Sequence, residues 1–181
     1  MEKLPIDIKW NNIVVRSWIR ITEFNTLREL ARDKDYCEIG TFRGGSLIAV
    51  EPTARSILCI DPESGDGNYR HIFYDMISKI PKARLWREKS TRISQYLRDG
   101  IFDILFIDGN HGDPHPSYDW NLMYRTVRKG GIIALHDYHE ENPSPESSFN
   151  GVYNLVNGDI IKEKVAGRCD SLIWYIKGEF K

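Results

Sequence analysis

Two hydrophobic rhythms alternate along the chain. Residues 17–32 carry Trp18, Ile21, Phe24, Leu27, Leu30 and Ala31 at helical spacing, which predicts an amphipathic helix. A short apolar run at 36–39 then ends at Gly40, and a helix is expected to start near Gly44, Gly45 and Ser46. Residues 56–60 (SILCI) form a second β-rich run ending at Asp61. Residues 69–80 look helical and stop before Pro81; 83–86 read as a third strand and 91–98 as a helix ending at Gly100. The run 102–107 (FDILFI) is the clearest buried strand. Residues 118–127 look helical and close at Gly130 and Gly131, before another buried strand at 132–135. A loop at 140–150, rich in Pro, Ser and Glu, precedes a short helix at 151–157. Two further strand-like runs follow, at 160–165 and 171–177.

Strands that alternate with helices imply βαβ units, hence a mostly parallel sheet covered on both faces. The last two runs are separated only by residues 166–170, too few for a helical crossover, so they pair antiparallel. The expectation is an α/β fold: a doubly wound, seven-stranded sheet, mostly parallel, with an antiparallel C-terminal strand. Residues 1–181 form a single domain, in which 1–35 are a helical extension.

Composition narrows the class. Of 181 residues, 41% are apolar, 28% charged and 12% aromatic, a globular profile that excludes disordered, collagenous and coiled-coil chains. Lys plus Arg number 25 against 26 for Asp plus Glu, a net charge of −1. No polyanion-binding surface follows from that balance, so nucleic acid is not the expected partner. No apolar run approaches the roughly 18 residues of a membrane span. The N-terminal stretch MEKLPIDIKWNN lacks the apolar centre of a secretion signal. Cys37, Cys59 and Cys169 are odd in number and widely spaced; they read as reduced thiols of a cytoplasmic protein.

Doubly wound sheets bind ligands beyond the carboxyl ends of their strands. The first such turn reads Glu38-Ile39-Gly40-Thr41-Phe42-Arg43-Gly44-Gly45-Ser46. Gly40 permits a tight turn or close ligand approach, and Gly44 and Gly45 open a helix whose free N–H groups favour an anionic group. The spacing G-x-x-x-G-G is neither the dinucleotide fingerprint nor a P-loop. Glu38 ends an apolar strand, where a bare carboxylate is costly; a cationic ligand, a backbone nest or a nearby Arg or Lys would each answer it. Asp61 lies 21 residues after Gly40, where an acid can accept both hydroxyls of a ribose or cap a turn.

Four of the five histidines fall between 111 and 139. One strand ends in Asp108-Gly109-Asn110-His111 and the next in His136-Asp137. In a parallel sheet those ends meet. Asp108, His136 and Asp137 are then the expected ligands of one divalent cation, Mg²⁺ or Mn²⁺ among them. His111 is the candidate general base, since imidazole titrates near neutrality. His115 and His139 sit in polar stretches and are expected to be solvated.

With these residues in view, the chain resembles the class I S-adenosylmethionine-dependent methyltransferases, which are Rossmann-like. More narrowly, it is similar to the metal-dependent small-molecule O-methyltransferases, the branch with catechol and macrolide-sugar methyltransferases. The resemblance covers residues 36–177 and rests on E-x-G-x-x-x-G-x-S (Glu38, Gly40, Gly44, Ser46) and on FIDGNH followed by KGGIIALHD. It implies that Ser46 and the glycine turn, including Thr41 and Phe42, hold the methionine moiety. Asp61 would grip the ribose, and Ser90 falls where the family contacts adenine. It likewise implies Asp108, His136 and Asp137 as metal ligands, Asp108 also bordering the cofactor, and His111 as base. Two positions depart from the pattern. Gly-Asp-Pro-His-Pro-Ser stands between His111 and Tyr118, which leaves His111 and His115 both open as the functional imidazole, and His136 stands where well-known members carry an acid.

The implied reaction is methyl transfer from the sulfonium to a hydroxyl of a small molecule, such as a vicinal diol or catechol, with the metal holding adjacent oxygens. The extension before the first strand is short for the family, so the site is either open or completed in a homodimer. Trp10, Trp18 and Phe24 are candidates for such an interface or for an acceptor wall, packing onto the sheet being the alternative. The loop 138–150 is expected to be an acceptor-side flap. The competing classes are a nucleotide-binding Rossmann-like protein, such as a nicotinamide-dependent oxidoreductase, and a non-catalytic protein that keeps the fold.

Overall fold

The computed structural model describes residues 5–62, 70–141, 147 and 149–180. The chain opens on a hairpin, β1 (Ile6–Trp10) against β2 (Ile13–Ser17), followed by α1 (Ile21–Leu30). Then come β3 (Asp35–Ile39), α2 (Gly45–Val50), β4 (Ser56–Ile60), α3 (Arg70–Lys79), β5 (Ala83–Trp86), α4 (Ser90–Ile93) and β6 (Phe102–Ile107). The rest is α5 (His115–Met123), β7 (Val127–Leu135), α6 (Asn150–Asn157), β8 (Glu163–Cys169) and β9 (Leu172–Phe180). Seven strands form one sheet in the order β5-β4-β3-β6-β7-β9-β8. β5 through β7 run parallel, while β9 is antiparallel to both β7 and β8. The doubly wound expectation holds.

Alternation along the strands divides the core. Tyr36, Ile104, Phe106, Ile132 and Ala134 face one side, where α1, α2 and α3 bury Leu27, Leu47 and Met76. Cys37, Leu105, Ile107, Ile133 and Leu135 face the other, against Trp120 and Met123 of α5 and Leu155 of α6. Strands buried on both faces read as continuous apolar runs, which is why FDILFI is so clear. The winding runs outward from β3 to β4 and β5, then returns to β6 on the other side of β3. The carboxyl ends of β3 and β6 therefore flank the switch point, where such sheets open a crevice.

The N-terminal extension corrects the sequence expectation: among its described residues it is helical only over Ile21–Leu30. Ile6, Ile8 and Trp10 alternate with Asp7 and Lys9, and the two residues Asn11 and Asn12 turn the chain back. That is the pattern of a hairpin with a two-residue loop, Asn11 taking φ 52°. Trp10 packs on the core and Phe24 lies within it, whereas Trp18 is exposed. The C-terminal hairpin is also shifted. Gly167 is a strand residue, because a Cβ there would lie 2.1 Å from the Trp174 ring. The turn falls instead at Asp170, with φ 52°, a conformation Asp tolerates. β7 begins earlier than expected because Val127 pairs with Phe102 ahead of a register irregularity that holds the glycines. Of the expected flap at 138–150, residues 142–146 and 148 lie outside the described residues. Among the described residues no helix is long and apolar enough to cross a membrane.

Tyr175 packs edge-on against Trp120 with ring centroids 5.6 Å apart, yet its hydroxyl is buried with no hydrogen-bond partner among the described residues. Tyr175→Phe removes that stranded group and keeps the ring. It is expected to be neutral or stabilising by about 1 kcal/mol, read from urea midpoints at constant m-value. A loss of that size would show that the hydroxyl has a partner.

Candidate active site

The glycine turn is shaped by contact on both sides. Gly40 takes φ +85°, and a Cβ on it would sit 2.2 Å from the Asp108 carbonyl oxygen, so only glycine lets β3 end against β6. A Cβ on Gly45 would lie 2.1 Å from Ser17 Oγ, so the end of β2 is seated on the start of α2. Asp61 Oδ2 accepts from the backbone N–H of Thr41 and of Phe42, each at 2.9 Å. Asp61 thus clips the turn while lining the cleft.

Glu38 lies beneath this turn, fully buried and not itself lining the cleft. Burial pushes its carboxyl pKa up, against the opposing pull of Thr41, Ser46, Tyr36 and Cys59. Oε2 accepts from the Tyr36 hydroxyl at 2.9 Å, while Oε1 and the nearby Thr41 Oγ1 are buried without a hydrogen-bond partner among the described residues. A buried acid beneath a glycine cradle fits a cofactor with a cationic end, such as S-adenosylmethionine, seated on the Thr41–Ser46 floor above it. Burial raises the thiols of Cys37 and Cys59 well above the ordinary range, which leaves them inert.

Asp108 and His136, at the ends of β6 and β7, belong to one chain of charges. His136 Nδ1 meets Asp108 Oδ1 at 2.9 Å and Nε2 meets Glu23 Oε2 at 3.2 Å. Glu23, in the first turn of α1, also accepts from Ser171 N at 2.8 Å and Ser171 Oγ at 2.6 Å. His111 Nε2 stands 3.1 Å from Asp108 Oδ1 and Nδ1 stands 3.4 Å from Asp137 Oδ2. One donor atom each from Asp108, His111 and Asp137 falls within 4.8 Å of the others. The closest three-residue grouping is thus Asp108, His111 and Asp137, while His136 stands 2.9 Å from Asp108 and 3.6 Å from Asp137 with its other nitrogen on Glu23. Two carboxylates and an imidazole suit a divalent cation.

Burial works against charge at each of these groups and is overcome. It pulls His136 down, but Asp108 and Asp137 hold it well above the usual imidazole value. His111 is likewise raised, burial being outweighed by Asp108 and then Asp137. Asp108 is lowered despite burial, by the charge of His136 and the hydrogen bond from His111. Glu23 falls to about 2 as its contacts with His136 and Ser171 outweigh burial.

These elements line one cleft of about 1040 Å³, together with Ser90, Asp119, His115, Trp18 and Phe149. Ser90 donates to Asp119, whose carboxyl burial pushes up to about 6. His115 is the first residue of α5 and not a loop residue. Phe149 stacks on His111, centroids 5.5 Å apart and 20° between planes, with His139 edge-on to it. Glu23 and Asp119 were missed in the sequence, although each interrupts an apolar helical stripe: Glu23 beside Phe24 and Leu27, Asp119 with Pro116, Trp120 and Met123.

Residues 37–138, more than half of the chain, match the family of methyltransferase domains. The chain belongs to that family. A curated relative, the uncharacterized protein R132 of Acanthamoeba polyphaga mimivirus, is 34% identical over 138 residues, 68% of this chain and 62% of the relative. The chain thus spans about 62% of that relative's length. Among solved structures, a candidate caffeoyl-CoA O-methyltransferase from Staphylococcus aureus matches at TM-score 0.65 and 15% identity, over 88% of this chain and 84% of that one. The 1,6-didemethyltoxoflavin N1-methyltransferase of Burkholderia thailandensis, solved with S-adenosylhomocysteine, matches at 0.57 and 11%, over 85% and 77%. The likeness of these structures is one of fold. For this methyltransferase domain, S-adenosylmethionine is the methyl donor the family implies.

The Glu23–His136 contact carries a pH signature. A carboxylate depressed from 4.5 to about 2 adds stability that is present above pH 4.5 and lost as pH falls toward 2. Removing one member of a buried pair costs roughly 3–5 kcal/mol. Glu23→Gln is therefore expected to lose about 3 kcal/mol at pH 6 and to show a flatter decline below pH 4.5 than the wild type, both read from urea unfolding across pH. Equal slopes in the two proteins would show that Glu23 is not depressed.

Proposed function

We propose that this domain transfers a methyl group from S-adenosylmethionine to a hydroxyl of a small molecule, assisted by a divalent cation. One observation carries the reading. The glycine turn and the cluster of Asp108, His111 and Asp137 open into the same cleft, joined where Gly40 meets the backbone of Asp108. Asp61, Ser46, Thr41 and Phe42 hold the donor on one side, with Glu38 below and Ser90 and Asp119 toward its base. Asp108 and Asp137 would hold the cation, which when bound supplies positive charge to polarise an acceptor oxygen, with His111 beside it as the base.

The residues of the chain do the rest. His111 takes the proton of the attacking hydroxyl as the oxygen closes on the methyl carbon. Glu23 and His136 fix Asp108, and Phe149 fixes the His111 ring. Geometry does most of the work, since an oxygen about 3–3.5 Å from the carbon and in line with sulfur is already close to reacting. A near-neutral chain suits a small acceptor better than a nucleic acid.

Calorimetric titration with S-adenosylmethionine, with and without Mg²⁺ or Mn²⁺, tests the reading. Micromolar binding that Asp61→Ala abolishes is expected. Absence of binding under every condition would sink it. On a panel of catechols and vicinal diols, His111→Ala is expected to lower turnover roughly 10²–10⁴-fold with donor affinity preserved. Full turnover after exhaustive chelation would remove the cation from the reaction.

A further inference from the structure

The hairpin β1–β2 precedes residues 37–138, the part matched to the family, yet it builds part of the cleft. Ser17 rests on Gly45, with Ile19 Cγ2 3.7 Å from where a Cβ would stand. This contact fixes the end of β2 over the start of α2, beside Ser46. Successive residues of an extended strand point to opposite sides. With Ser17 turned in, Arg16 and Trp18 are exposed, and both line the cleft.

Arg16, Arg43, Arg70 and Lys89 are the Lys and Arg side chains along the described cleft wall. Arg43 lies over the Phe42 ring, and Arg43 and Arg70 have further partners. Lys89 precedes Ser90 and α4, on the sheet face opposite α2, where Ile93 packs near Trp120. Arg16 has neither an ion pair nor a hydrogen bond among the described residues. Among the described residues it is the uncommitted cation on the α2 side.

The acid of the same corner is Glu38, buried below Thr41 and Ser46, its Oε1 without a hydrogen-bond partner among the described residues. A ligand bound here meets an acid below and a guanidinium at the rim. We infer that Arg16 receives the carboxylate of the methionine moiety of S-adenosylmethionine, an inference that rests on the methyltransferase reading. The amino-acid end of that donor carries an ammonium and a carboxylate on one carbon. The Thr41–Ser46 floor above Glu38 would face its ammonium side, and Arg16 would hold its carboxylate. A guanidinium matches a carboxylate with two parallel hydrogen bonds, which sets orientation as well as affinity. The hairpin is then part of the cofactor site.

The test is a binding cycle by calorimetry, using S-adenosylhomocysteine and its decarboxylated analogue against wild type, Arg16→Gln and Arg16→Lys. In the wild type, loss of the carboxylate is expected to weaken binding roughly 10- to 100-fold, the range for a charged hydrogen bond. Arg16→Gln should weaken S-adenosylhomocysteine by a similar factor and bind both ligands alike, and Arg16→Lys should recover part of the difference. Arg16 is exposed, and an unchanged melting temperature will show that the variants are folded. If Arg16→Gln discriminates between the ligands as strongly as the wild type, the inference is overturned. If the wild type binds neither ligand, the methyltransferase reading itself has failed, a result distinct from a failure of Arg16 alone.

Discussion

Everything at the site depends on a buried charge being answered. His136 is almost wholly enclosed, and an imidazolium there is tenable only because carboxylates touch both of its nitrogens. Those contacts draw together parts of the chain with no local reason to meet. Glu23 comes from the first turn of α1 and Asp108 from the end of β6, while Ser171, from the turn between β8 and β9, completes the shell of Glu23. Removing one member would leave its neighbour charged and dry, so the arrangement stands or falls as a unit. Asp108 thus arrives at the cleft already oriented, with His111 and Asp137 disposed around it.

Much of the fold was legible because periodicity is a local property. Strands at 56–60, 83–86 and 102–107 emerge with their expected bounds, since each is a short β-rich run between turns. The N-terminal hairpin was equally visible in Ile6, Ile8 and Trp10. It was lost because Trp18, Ile21 and Phe24 extend the helical spacing of α1 backward into residues that serve the strand and the cleft. The glycines misled in the same way. Gly130, Gly131 and Gly167 look like loop signals, but they lie inside β7 and β8, where they accommodate a register irregularity and the Trp174 ring.

The site was legible in its residue types and not in its pairings. The strand ends showed Asp108, His111, His136 and Asp137 converging, and the glycine turn showed where a donor would lie. Both imidazoles stand among the aspartates, and what separates them is Glu23, 113 positions from His136 in sequence, which meets the second nitrogen of His136 alone. Local spacing cannot encode that. A weaker signal was present all the same: an acid on an otherwise apolar helical stripe is expensive unless something buried answers it. Glu23 is answered by His136 and Ser171, Asp119 by Ser90. Each stripe therefore marks a buried polar centre by the one residue that breaks its apolar pattern.

Proton and cation compete for the same place. His111 lies between Asp108 and Asp137, which together hold its proton more tightly than an ordinary imidazole would. That proton already neutralises part of the negative charge a divalent cation would meet. A cation held by those aspartates would therefore favour release of the imidazole proton, since a positive charge beside the ring disfavours its protonated form. Neighbouring His136 follows a different rule, its two nitrogens being committed to Glu23 and Asp108. Two histidines in one cluster thus divide the work. The enclosed one, held by carboxylates on both nitrogens, braces Asp108; the other stands at the cleft between Asp108 and Asp137.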